Sequence, residues 1–182
     1  MISVLGIGLF IILVIYHFHH QSLLFILLDA IFIAIGMILV WHWTVPLGER
    51  LTLWIPYPSI TAESTLALYS SSALGSIPFA FIRACASFII AAGVWAVRAF
   101  VLMWLRPLET RGHRQLVIGS LFGLVVAWGS VAILLAWVSL INFEAIQSTF
   151  ASQPLLRWMV IKTPGVASHV LALWFQGPVP FQ

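Results

Sequence analysis

Charge is what this chain has least of. Only 7% of its 182 residues are Asp, Glu, Lys or Arg, against about 25% in an ordinary soluble domain. Five acidic and eight basic side chains cannot form a basic face interleaved with stacking aromatics, so the formal net charge of +3 supplies no nucleic-acid footprint. Cys85 is the single cysteine. That excludes an intrachain disulfide, leaves the redox compartment open, and reads as a small packing residue within an apolar segment. The N-terminus lacks a positive n-region and a small-x-small cleavage site, so it reads as a retained first span and not as a signal peptide. The constellations of an enzyme are missing too. Ser70, Ser71 and Ser72 have no base placed beside them, because His113 and His169 fall on opposite sides of the membrane in the topology below. Neither a carboxylate cluster nor a metal spacing occurs, and no cofactor is expected.

What is there is apolar. Hydrophobic residues make up 62% of the chain and the mean hydropathy is +1.10. Spans of roughly 20 residues each take up most of the length and leave no room for a separate soluble domain. The expected fold is all-α: one polytopic membrane domain over 1–182, a bundle of four transmembrane helices at about 1–18, 22–45, 77–105 and 115–141. Short interfacial helices are expected in the second loop and in a tail over 143–175.

Local signals place the boundaries. His17-Phe18-His19-His20-Gln21 is a tight connection, and Ser22 is a candidate N-cap for span two. Pro46 removes a backbone donor and disfavours helix before it, so span two is expected to stop there. Residues 46–75 form the longest polar interruption. Within it Leu51, Leu53, Trp54, Ile55 and Tyr57 suit the headgroup level. Span three is longer than a perpendicular crossing needs, which implies tilt or projecting ends. Phe143, Ile146 and Phe150 recur at helical spacing, and Pro154 should end that helix. The segments 155–162 and 166–175 are too short to cross and read as surface or re-entrant helices, and 177–180 as a frayed extended end.

Arg106, Arg111 and Arg114 crowd one short turn, three of the eight Lys and Arg residues. Basic loops stay inside, so 106–114 is expected to be cytoplasmic, with both termini and the Pro56-Tyr57-Pro58 loop outside. Arg157 and Lys162 in the tail pull the other way.

A few residues stand out against this background. Asp29 lies well inside span two, where a carboxylate is costly unless paired, protonated or facing protein. It is about 10 Å deep from Ser22, and Arg98 is about 12 Å from Arg106, at about 1.5 Å per residue. Antiparallel neighbours would bring these two charges to one level, so they form the suspected intramembrane pair. Arg83 and Arg98 are separated by a rotation of roughly 60° at about 100° per residue, and share a broad face. Either could line a polar pathway; the competing reading, favoured for Arg83, is a side chain that snorkels to the interface. Gly119, Gly123 and Ala127 form a small-xxx-small stripe that predicts helix packing. The stripe is read as facing a helix of the same chain, with a second copy and hence a homo-oligomer left open. His17, His19 and His20 could offer imidazoles to a metal, but their spacing does not converge on one point, so no metal is expected. Nine Trp residues, mostly near span ends, read as an aromatic belt and not a cofactor box.

The layout resembles the colicin V production (CvpA) family of bacterial inner-membrane proteins. The resemblance rests on four spans over nearly the whole chain, on Trp54-Ile55-Pro56-Tyr57-Pro58-Ser59 after span two, on Gly119-Ser120-Leu121-Phe122-Gly123 opening span four, and on a tail with Pro154 and Pro164. His17, His19 and His20 depart from it, since the family's first hairpin usually carries basic and glycine residues. The resemblance implies a bacterial plasma-membrane protein that supports toxin or bacteriocin production or export, non-enzymatic, in contact with the lipid bilayer and with other envelope or export proteins. The alternative is a small channel or transporter subunit that uses Asp29 and Arg98.

Overall fold

In the computed structural model, residues 2–19, 21–57, 60, 66–109, 116–179 and 181 are described, with side chains omitted for 2–5 and 106–109. Every regular element among them is helical. The order is α1 (Ile2–His19), α2 (Leu23–Leu51), a 3₁₀ turn (Ser71–Ala73), α3 (Ile77–Glu109), α4 (Leu116–Ser139), α5 (Glu144–Ser152) and α6 (Pro154–Lys162). A π-helical turn (Val166–Leu171) then leads into α7 (Ala172–Phe175). Three helices are long and apolar enough to cross a membrane: Leu23–Leu51, Ile77–Leu105 and Leu116–Ser139. α1 contributes a shorter apolar stretch, Gly6–His19. Outward faces keep large apolar residues such as Ile12, Ile38, Phe100 and Val125 exposed. An exposed surface this apolar is compatible with a multi-pass membrane protein.

The chain divides into two compact units, Met1–Ile38 with Ala91–Val131, and Leu39–Ile90 with Ala132–Gln182. In the first unit α2 and α3 run antiparallel, because Asp29 meets Arg98 while Gly36 faces Val94. α1 runs antiparallel to α4, with Phe18 against Gly119 and Ile15 against Gly123.

In the second unit α2 and α3 are again antiparallel, Thr44 meeting Ser87 and Gly48 meeting Arg83. Helix α2 does not stop at Pro46. It continues to Leu51 with the proline inside it, although an interior proline costs about 3 kcal/mol. Thr44 and Gly48 bracket Pro46 on the buried face, and their contacts with α3 hold the last turns helical. Pro154 ends α5 and also starts α6, at a first-turn position where its missing N–H costs nothing.

The tail carries much of this unit's core. Phe150, Leu156, Met159, Val160, Leu171 and Trp174 are buried, together with Leu66, Leu68 and Tyr69 from the second loop. Burying one large aromatic removes about 150–250 Å²; at about 25 cal/mol per Å² that gives Trp174 at most roughly 4–6 kcal/mol. The expected frayed end is corrected as well. Phe181 forms an isolated bridge with Tyr69 and stacks on its ring at 5.9 Å.

Candidate functional site

Asp29 faces α3 from the second turn of α2, at a point where α3 presents Arg98. The guanidinium grips the carboxylate with two bonds, Nε to Oδ1 at 2.6 Å and Nη2 to Oδ2 at 2.7 Å. The Asp29 side chain is 1% exposed and that of Arg98 11%. Trp95, one helical turn before, offers its ring to the guanidinium carbon at 4.2 Å. Each polar atom of the carboxylate has a charged donor, and the cation also gains the face of an aromatic quadrupole. Chemically this is a closed, self-neutralised pair. Removing the cation would leave an uncompensated buried charge, at a cost of about 3–5 kcal/mol, and the pair shares hydrogen bonds instead.

The stripe on α4 lies against α1. A Cβ on Gly119 would run into the Phe18 carbonyl, and one on Gly123 would sit 3.1 Å from the Ile15 Cα and the Phe18 Cβ. Ala127 is fully buried. Glycine is needed there because the α1 backbone, and not merely a side chain, occupies the groove. Beside the stripe His19 Nδ1 meets Ser120 Oγ at 2.7 Å, and Ser120 Oγ donates to the Leu116 carbonyl at 2.8 Å. With that hydroxyl proton already used, His19 Nδ1 is the donor. His17 instead accepts from the Gln21 amide at 3.0 Å. The two imidazoles therefore serve different partners, and among the described residues no three His, Cys, Asp or Glu side chains gather into a metal-binding group. His20, Arg111, His113 and Arg114 lie outside the described residues, as do the side chain of Arg106 and both Pro58 and Ser59 of the second loop.

The second unit holds a polar node that the sequence reading missed. Trp174 donates its indole N–H to Ser87 Oγ at 2.9 Å, and Ser87 donates to the Arg83 carbonyl at 3.0 Å. Thr44 Oγ1 lies 2.9 Å from Ser87 Oγ. Since Ser87 has a single proton, Thr44 is the donor in that contact. Arg83 Nη1 closes the ring by donating to the Trp174 carbonyl at 2.9 Å. Arg83 is thus tied to the tail through one of its terminal nitrogens. A signal for this node was present: Thr44 and Gly48 on α2, and Arg83 and Ser87 on α3, are each four residues apart and so share a helix face.

Two tyrosines and one amide join the second loop to α4 and α5. Tyr57 donates to the Leu140 carbonyl at 2.5 Å, so it is anchored in protein and not merely resting at a headgroup level. Burial pushes its phenol up to about 12, partly offset by a backbone contact from Asn142. Tyr69 pairs with Ser139 at 2.8 Å, and burial raises its phenol well above the ordinary range, with the Ser139 hydroxyl opposing the shift. Gln147 accepts from the Ala67 N–H and donates to the carbonyls of Ser139 and Ile141. These are satisfied structural contacts.

Comparison of the chain with protein-family models, with curated proteins and with solved structures finds no match.

Proposed function

We propose that this chain is a non-enzymatic protein of the bacterial plasma membrane that supports production or export of a toxin or bacteriocin of the colicin V type, by contacting other envelope proteins. α1 is the fourth crossing, and the helices of the tail and second loop lie at the interface. The resemblance to the CvpA family motivates the biological role. The observation that carries the non-transporting reading is the Asp29 and Arg98 pair. Its carboxylate is bidentately held and sealed, so the charges are used to join two helices and are not held ready for a passing ion. Interfaces with partner proteins then fall to the remaining exposed faces.

Crosslinking and pull-down of the tagged protein from its native membrane tests the reading. A stable complex with an export system is the expected result. Ion or solute flux from the purified protein in liposomes, abolished by Asp29→Asn, would replace it with the channel or transporter reading. Sidedness is tested separately. Cytoplasm-specific reporters fused after residues 59 and 182 should be silent if the basic turn at 106–114 is cytoplasmic.

A further inference from the structure

Arg83 and Arg98 both lie on α3 and use their guanidinium groups differently. Arg98 fills its Nε and Nη2 edge with the two oxygens of Asp29. Arg83 spends Nη1 on the Trp174 carbonyl, and among the described residues the corresponding Nε and Nη2 edge has no acceptor. Neither nitrogen is sealed away, since the buried polar side-chain atoms without partners belong to Gln21, Trp137 and Gln153. The ion pair found among the described residues is the one at Arg98. Glu49 acts on Arg83 electrostatically from α2 but stays outside ion-pair distance.

This open edge is held in place. A Cβ on Gly48 would come 2.9 Å from the Arg83 Cγ, so the α2 backbone cradles the arginine stem. Trp174 fixes the far end through its carbonyl. A guanidinium held this way loses little freedom when it binds, and its planar fork matches two oxygens of a carboxylate or phosphate. The surroundings favour a lipid. Phe79, one turn earlier on the same face, is 53% exposed, which places an apolar ring beside the cation. Arg83 is about 9 Å from the start of α3 at about 1.5 Å per residue, within the reach over which a long basic side chain snorkels to a headgroup. Arg50, exposed at the end of α2, offsets Glu49 and leaves the neighbourhood cationic.

We propose that the open Nε and Nη2 edge of Arg83 binds the headgroup phosphate of an anionic phospholipid whose acyl chain lies along Phe79. The site is independent of the toxin-related reading.

Native mass spectrometry of the full-length protein in detergent tests it, with phosphatidylglycerol and phosphatidylcholine of identical acyl chains as probes. Phosphatidylglycerol should bind more tightly. Arg83→Gln should weaken it by about tenfold, the scale of one lost charge-assisted pair, while Arg50→Gln should change it by less than about twofold. Glu49→Gln should tighten it by removing the competing carboxylate. Should Arg83→Gln fail to fold, Arg83→Lys keeps a donor for the Trp174 carbonyl but not the fork, and should show the same loss. Unchanged phosphatidylglycerol binding in Arg83→Gln or Arg83→Lys overturns the proposal, as does unchanged or weaker binding in Glu49→Gln. Displacement of the lipid by millimolar inorganic phosphate would make this a site for free anions and overturn the lipid assignment.

Discussion

The Asp29 and Arg98 pair makes an asymmetric prediction that a double-mutant cycle can read. In Arg98→Gln, the carboxylate stays 1% exposed and loses both donors at 2.6 and 2.7 Å. Removing one partner of a buried pair costs about 3–5 kcal/mol, because the other charge is left uncompensated. In Asp29→Asn, the guanidinium keeps the face of Trp95 at 4.2 Å and is the more exposed partner at 11%. A cation over an aromatic ring retains about 0.5–2 kcal/mol, so this variant should lose roughly 2–3 kcal/mol. The double variant replaces two charges by amides that can bond each other, and should lose no more than about 1–2 kcal/mol. The resulting coupling of several kcal/mol is far above the roughly 0.3–0.5 kcal/mol scatter of additive sites. Reversible unfolding in bicelles, monitored by Trp fluorescence, is the assay. Additive losses would refute the pair as a stabilising unit. A larger loss for Asp29→Asn than for Arg98→Gln would refute the argument from burial and the Trp95 face.

Three further outcomes follow from the packing. Gly123→Leu forces a side chain into the α1 backbone at Ile15 and Phe18 and should lower the folded protein recovered from membranes, whereas Leu124→Ala, at an exposed position, should not; equal yields would count against a buried stripe. Trp174→Phe removes the donor to Ser87 and also leaves a gap where the buried indole was, so of its total loss in the same unfolding assay only the hydrogen-bond part, about 1 kcal/mol, should disappear in the Ser87→Ala background. Alkaline absorbance titration should find Tyr57 un-ionised until about pH 12. Its folded value is raised, so its stabilising contribution is full below about pH 10 and is lost as pH climbs through about 12; Tyr57→Phe should remove one late-titrating phenol and weaken the alkaline loss of stability.

The sequence by itself determined the chemical class of this chain and the level of Asp29 along its helix. Apolar runs long enough to cross a bilayer are a local property, and so is the distance of Asp29 from Ser22, since rise per residue is constant along a helix. Sequence spacing also marked Gly119, Gly123 and Ala127 as a surface for close approach. What it left open was rotation and partnership. The stripe meets α1 across about a hundred residues of chain, Arg83 reaches a carbonyl 91 residues away, and Tyr57 one 83 residues away. No local rule selects those partners. Only the tertiary structure decided that α2 runs through Pro46, because the opposing preference is local and its compensation comes from α3. The partners of the tail were hidden for the same reason. Helices of nine residues or fewer looked too short to matter as spans, yet their buried side chains find the loop and α3, where burial outweighs length.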